Sequence, residues 1–413
     1  MNQTDQTNQM NQMNQSAHRW SYLSTFFQNP DLAASLTGPQ FLELLDKLDQ
    51  EGVLPLFAHQ LHQRPAYQSL SPDLRECLSR AVLPYVAAST ALWHDFGKVI
   101  DHLSRESLHP VLIKGSHLAL CYYERPYLRP MADIDLLFLD LRDAERAYAL
   151  LFSQGYLCRD PSRGGDRWLW SRHLPELQAP QARHHHVELH GSVVYSPRDR
   201  RHLQERVLLE PLDSIAYGLY RLHAPIPEAA VIFALAHELV RHAADPPRMI
   251  VLHDVCAILQ KLGPRFDWNR LLHLARESGF ADSTASGLSA ASRYLGVGVP
   301  EQILNELEQG KRIPSASHRV GPSQQAKLTQ LELASYLHVR SLRLLLQKLG
   351  HMLFPSHEYM RVRYPQAKGV PLAFLYPYRW LIQIAKVTSF LVESLFRPHD
   401  QTNEMNEMTK GTK

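Results

Sequence analysis

An α+β fold is what this chain predicts: a small mixed-sheet core flanked by N-terminal and C-terminal helical regions. Three observations lead there. Apolar residues recur at helical spacing from about residue 17 to 108. They do so again from about Pro197 to Leu349. Between these stretches the pattern changes to short apolar runs of strand length around one helix, with Gly and Pro marking the breaks. At 413 residues the chain exceeds the size at which one core stops growing, so several packed units are expected. They are a tail (1–16), an N-terminal helical region (17–108), an α/β core (109–196), a helical domain (197–350), a C-terminal helical segment (351–398) and a second tail (399–413).

Met1 to Ser16 is rich in Asn, Gln, Thr and Met, with neither the apolar core nor the basic flank of a secretion signal. It reads as a disordered tail, as does Gln401 to Lys413. Gln40–Leu48 and Leu74–Ile100 carry apolar residues on one helical face. Strands are expected at Val111–Lys114, Ile134–Leu139, Arg167–Ser171 and His186–Val193, with a helix over Leu141–Gln154 that stops at Gly155. Gly164-Gly165 and Pro175 to Pro180 mark loops. Beyond Pro197 the helices are punctuated by Pro225, Pro227, Pro246-Pro247, Gly263-Pro264 and Pro300, and 313–324 reads as a loop. Pro371 to Phe396 is the most apolar late stretch, but Pro377, Arg379 and Lys386 interrupt it. A spanning helix wants about 20 mostly apolar residues. The stretch therefore reads as an amphipathic helix on a protein core or a membrane surface, not a transmembrane segment.

Composition narrows the function. A hydrophobic fraction of 45% is that of a globular protein. The net charge is only +3 and no Lys/Arg block stands out, which disfavours nucleic acid as the main partner. Four scattered cysteines without a Cys-x-x-Cys pair imply neither a disulfide framework nor a zinc knuckle, and fit the reducing cytoplasm.

The chemistry is concentrated in Arg129-Pro-Met-Ala-Asp133-Ile-Asp135-Leu-Leu-Phe138. On a strand, side chains at i and i+2 share a face, so Asp133 and Asp135 stand side by side. Two carboxylates held so close repel unless a cation lies between them. A hard divalent ion with oxygen ligands, Mg²⁺ above all, answers that need. Upstream, Pro110-Val-Leu-Ile-Lys114-Gly115-Ser116 is a short strand ending in Gly-Ser before a helix, an arrangement suited to a triphosphate and its metals.

Leu112-Ile-Lys-Gly115, Tyr122-Tyr123 and Arg129 to Leu137 together resemble the signature of an uncharacterised bacterial nucleotidyltransferase family of the polymerase-β-like superfamily. Val187-Glu188-Leu189-His190 resembles the strand that supplies the third acid. The resemblance runs from about residue 20 to 390. It implies a metal-dependent enzyme moving a nucleoside monophosphate from an NTP, ATP by default, to an acceptor. A small molecule comes first as acceptor, a protein next and RNA last. Asp133, Asp135 and Glu188 would position two Mg²⁺ ions, since two metals can clamp the attacking and leaving oxygens of an in-line displacement. Gly115 and Ser116 would hold the β- and γ-phosphates. Lys114 either neutralises phosphate or ends a strand. Arg129 either clamps phosphate through its planar fork or pairs with an acid and sets the loop. His190 orients the acceptor, acts as a base, contacts phosphate, or is hydrogen-bonded at the rim. His186 shares its strand face.

His237-Glu-Leu-Val-Arg-His242 superficially resembles a zinc-protease motif. That motif needs histidines at i and i+4, whereas i and i+5 lie about 140° apart on an α-helix. His237, His242 and Asp254 are then expected to form a polar seam between helices or to touch the base. The competing function is a catalytically silent nucleotide-binding or scaffold protein with the same fold. A metal-dependent phosphohydrolase would need more His/Asp ligands than the core supplies.

Overall fold

The computed structural model describes residues 20–159, 171–180, 185–197, 199–242 and 247–309, with positions 371, 374, 376, 377, 380 and 381. The chain divides into two compact units, Gln12–Arg319 and a second made of Met1–Asn11 with Val320–Lys413. In the second, the Phe374 N–H donates to the Pro371 carbonyl at 3.0 Å, within the late apolar stretch. The tails, the 313–324 loop, Gly164-Gly165, most of the expected strand at 167–171 and nearly all of 351–398 lie outside the described residues. All the described strands belong to the first unit.

Helices open it, as the spacing predicts. They are α1 (20–28), α2 (Gly38–Gln50), α3 (Leu54–His62), α4 (Pro65–Ser69) and the long α5 (Pro72–Arg105). α2 buries Phe41, Leu44, Leu45 and Leu48, one stripe at i, i+3, i+4 and i+7. α5 starts where Ser71 Oγ accepts the Leu74 N–H.

β1 (Val111–Leu112) leads into α6 (Lys114–Cys121), β2 (Asp133–Leu137) and α7 (Leu141–Ser153). Then come β3 (Leu157–Cys158), β4 (Leu177–Gln178), β5 (His186–His190) and α8 (Arg200–Glu205). β6 (Leu212–Tyr217) and β7 (Tyr220–Pro225) precede α9 (Pro227–Ala236), a π-turn (His237–Arg241) and α10 to α13. The last four are Met249–Leu262, Trp268–Glu277, Ala281–Leu295 and Glu301–Glu308.

The described strands form one seven-stranded mixed sheet, ordered β3-β4-β5-β2-β1-β7-β6. β2 runs parallel to β5 and antiparallel to β1. The sheet separates two cores. Ile134, Leu136, Val187, Leu189 and Leu112 pack against the second half of α5 and α7. Val111, Ile113 and Leu137 face the larger core, built from α1–α3, α9, α10 and α12. Because strand side chains alternate, Asp133 and Asp135 share the face of Leu137, toward that helical layer.

Four expectations need correcting. The chain after Pro197 is not helical throughout. Leu212–Tyr217 and Tyr220–Pro225 form a hairpin around Gly218, whose φ of +56° suits a tight hairpin turn, and β7 adds it to the sheet beside β1. A strand also crosses the expected Pro175–Pro180 loop, where Leu177 pairs with Val187. β1 stops at Leu112, because Lys114 turns into the left-handed region (φ +51°) and begins α6. β5 stops at His190, because the buried Glu205 carboxylate takes the N–H groups of Val193, Val194 and Tyr195.

Candidate active site

The β2–β5 register builds the site. Asp133 stands opposite His186, Asp135 opposite Glu188, and Leu137 opposite His190. On these parallel neighbours, residues i and i+2 of one strand lie beside i and i+2 of the other. Ligand atoms of Asp133, His186 and Glu188 all lie within 4.8 Å of one another, as do those of Asp135, Glu188 and His190. Glu188 belongs to both sets. Asp135, Glu188 and His190 are buried and Asp133 is half-buried.

Lys114 enters this cluster from the turn between β1 and α6. Its Nζ lies 2.6 Å from Asp135 Oδ1, 3.6 Å from Glu188 Oε2 and 3.5 Å from His190 Nε2. His190 Nε2 is 2.7 Å from Asp135 Oδ1 and 3.1 Å from Glu188 Oε2. Its Nδ1 faces the Ser192 carbonyl at 3.2 Å, which aims the other nitrogen at the two carboxylates. His186 Nε2 stands 3.6 Å from Glu188 Oε1.

The acids do not share this compensation equally. Burial opposes ionisation of Asp135, but the Lys114 charge and His190 outweigh it and hold the carboxyl below its usual range. Glu188 is likewise held well down: burial is overcome by hydrogen bonds from His186 and His190 and by Lys114. Asp133 goes the other way. The charge of Asp135 beside it, then burial, push it up to about 6. A buried carboxylate repelled by its neighbour is what a cation would relieve. The donor set, carboxylates with one imidazole in each group, fits a divalent ion.

Three further residues of the sequence-derived site have protein partners of their own. Ser116 is fully buried, and its Oγ accepts the Asp135 N–H at 3.2 Å, tying α6 to β2. Gly115 sits under Met131 and Arg129. An added Cβ would come within 2.8 Å of Met131 Sδ and 2.9 Å of Arg129 Nη1. Arg129 itself is committed to Asp254, through Nη2–Oδ2 at 2.9 Å and Nε–Oδ1 at 3.2 Å. The Tyr123 hydroxyl donates to the same carboxylate at 2.8 Å. Of the two roles open to Arg129, the observed one is pairing with an acid. Asp254 is its partner.

Two residues that the sequence did not single out, Arg172 and Glu205, complete the surroundings. Arg172 Nη1 donates to the Val193 carbonyl at 3.1 Å and lies 3.4 Å from His237 Nδ1. Burial and the nearby Arg241 lower Arg172 to about 10. Burial, with Lys114 and Arg172, holds His237 well below its usual range. His237 and His242 are not on opposite sides of a helix. In the π-turn the His242 N–H reaches the His237 carbonyl at 3.2 Å, and the two Nε2 atoms stand 3.1 Å apart. The α-helical 100° per residue does not hold here because the turn carries an extra residue, and π-turns cluster at functional sites. Glu205 fixes the loop after β5, and with it the carbonyl that orients His190. The Arg-His and Leu-Gln-Glu contexts of Arg172 and Glu205 carry no motif that could have marked them.

A family model described as uncharacterised nucleotidyltransferase matches residues 38–296, more than half of the chain and every site residue above. No curated protein and no solved structure matches the chain.

Proposed function

The chain belongs to the uncharacterised nucleotidyltransferase family and is a transferase; from that premise we propose that it moves a nucleoside monophosphate from an NTP, ATP by default, to a small-molecule acceptor in the cytoplasm. The observation that carries this reading is the β2–β5 register, which sets Asp133 and Asp135 beside Glu188 on one buried face. No helix among the described residues is long and apolar enough to cross a membrane.

Nucleotidyl transfer aligns an attacking oxygen, the α-phosphorus and a pyrophosphate leaving group. Asp133, His186 and Glu188 would hold a divalent ion, Mg²⁺ or, given the imidazole, Mn²⁺. When bound, such an ion polarises a phosphoryl oxygen and offsets its negative charge. Asp135 keeps the neighbouring charge in place, braced by His190. Lys114 offers an ammonium to the triphosphate. The N–H groups of Gly115 and Ser116 precede the first intrahelical bond of α6, from the His117 N–H to the Ile113 carbonyl, and are free of that ladder for phosphate oxygens. Arg172 adds cationic character near Glu188 and Asp135. Arg129 acts through Met131 and Gly115, holding the turn rather than the nucleotide.

The test is mass spectrometry of the protein incubated with each NTP, a divalent ion and a lysate metabolite pool. A metabolite heavier by one nucleotide, formed only with the ion, is the expected result. Equal NTP affinity in Mg²⁺ and in EDTA, with no new mass from any NTP, would leave the silent scaffold as the better account.

A further inference from the structure

Lys114 stands where a metal would. Within the proposed nucleotidyltransferase centre, on which this inference rests, the two ligand sets share Glu188 but differ in what fills them. The Asp135–Glu188–His190 set surrounds the Lys114 Nζ, 2.6, 3.6 and 3.5 Å away respectively. In the Asp133–His186–Glu188 set the ion pairs of Lys114 reach only the shared Glu188, and the other cation, Arg159, approaches His186 Nδ1 at 3.4 Å and pairs with Glu176. We propose that the Lys114 ammonium is a built-in second cation of this centre, and that the chain therefore takes up one divalent ion, at Asp133, His186 and Glu188.

Three features separate Lys114 from a surface lysine that happens to reach an acid. Its backbone lies in the left-handed region, φ +51°, which a residue with a Cβ adopts only where the surroundings impose it. Its side chain is 14% exposed, so the ammonium is held inside the cluster and not swept through solvent. The turn that carries it is stitched to β2 by the Ser116 Oγ bond to the Asp135 N–H, beside the same carboxylate that Lys114 pairs with. The fold thus delivers an ammonium to this one position, with the strained residue next to the stitch.

Charge points the same way. Among the groups in direct contact, one ammonium and one divalent ion balance the three carboxylates before nucleotide arrives; Arg172 adds a more remote charge and donates its hydrogen bond to the Val193 carbonyl. A second divalent ion would have to displace the ammonium from Asp135 or sit against it, and like charges a few ångströms apart in a buried site repel strongly. A lysine also differs from a metal in what it can do. It is a point charge with three N–H donors and no open coordination position. Lys114 can therefore hold phosphate oxygens but cannot activate an attacking hydroxyl, which leaves that task to the Asp133 side. The two-ion expectation from the sequence becomes one ion and one lysine.

Counting Mn²⁺ on the full chain without nucleotide tests this, by isothermal titration and by the electron paramagnetic resonance of the bound ion. The wild type should bind one Mn²⁺ per chain, with a signal free of Mn–Mn coupling. Lys114→Met should bind two, with coupling, while Lys114→Arg, which keeps the charge, should stay at one. Asp133→Asn should lower the affinity of the wild-type ion at least tenfold. Two coupled ions in the wild type overturn the proposal, and that measurement needs no variant to fold. So does a folded Lys114→Met that still binds only one. If the count comes out as expected but no NTP yields a product, the transfer reading fails while the lysine-and-ion centre stands. If no Mn²⁺ binds at all, both fall.

Discussion

Two buried charge clusters lie close together in this molecule and resolve their burial in opposite ways. In the first, Arg129 spans both oxygens of Asp254 while the Tyr123 hydroxyl takes a second lone pair. Burial opposes the Arg129 charge, but Asp254 outweighs it and raises the guanidinium further above its usual range. One cation meets one anion, and the pair is closed. In the second, three carboxylates share one ammonium and two imidazoles, and Asp133 is left pushed up to about 6 by Asp135 and burial. A closed pair holds a fold together; an unbalanced one waits for a ligand. Charge alone does not separate structural from functional clusters. The balance of charge does.

The sharpest way to break that comparison is to remove charge from the unbalanced cluster. Asp135→Asn should lower transfer by at least about a thousandfold, since charge stabilisation at a metal-assisted transition state is worth several kcal/mol. The fold should survive with some loss of stability, because Lys114 and His190 hold Asp135 below its usual range and an asparagine leaves both with less charge to pair with. Steady-state kinetics and a thermal melt in metal-free buffer decide it. Full rescue of a deletion strain by this variant would return the protein to the scaffold reading.

In the closed cluster the consequences should be reversed. Arg129→Met strands a buried carboxylate and should destabilise the chain by about 3–5 kcal/mol. Replacing both partners, Arg129→Met with Asp254→Leu, should recover much of that loss, because no charge is left unpaired. Denaturant unfolding of the single and double variants measures it. A single variant within about 1 kcal/mol of wild type, no more than an ordinary substitution costs, would mean the pair is not closed.

How much of this was legible in the sequence depends on range. Asp133 and Asp135 were, since strand periodicity alone puts them on one face, and so was the amphipathic stripe of α2. Glu188 was reached through the Val-Glu-Leu-His run rather than through any local rule. The partner of Arg129 lies 125 residues away, and no spacing argument reaches that far. Lys114 shows the other limit: its side chain was visible as a candidate, but the left-handed backbone that aims it is set by packing around Gly115 and Ser116. The π-turn defeated a correct helical-wheel argument because the wheel assumes the very period that the turn breaks. In the β6–β7 hairpin the signal was present, alternating runs around Gly218, and a helical expectation for the whole region obscured it.

Gly115 joins the two clusters, and a methyl group there sharpens their separation. A Cβ would press on Met131 Sδ and on Arg129 Nη1. Met131 can yield, but Arg129 is pinned by Asp254. Gly115→Ala should therefore cost about 1–3 kcal/mol by overpacking, more than the roughly 1 kcal/mol that helix propensity returns. Unfolding of this variant in the Arg129→Met background checks the cause, since the penalty should shrink once the pinned side chain is gone.

The smallest effect is a pH dependence, and its sign distinguishes an unbalanced carboxylate from a paired one. Asp133 is raised from its ordinary 3.8 to about 6 by Asp135 and burial. A group whose folded value exceeds its unfolded one contributes stability that is complete below 3.8 and is lost as pH rises through about 6. Metal-free protein should thus lose stability from this group across that window. Deprotonation is also what a divalent ion requires, so ion affinity should climb toward pH 6, by up to about tenfold per unit, and level off above it. His186, raised mainly by its Glu188 hydrogen bond, loses stability in the same direction, whereas the lowered His237 and His173 act oppositely. The contribution of Asp133 is therefore read as the difference between wild type and Asp133→Asn, in melts taken with EDTA and with Mn²⁺. Identical pH slopes for the two proteins in EDTA would show that the charge of Asp133 is already compensated inside the fold, its titration unshifted, and that the two clusters differ less than their geometry implies.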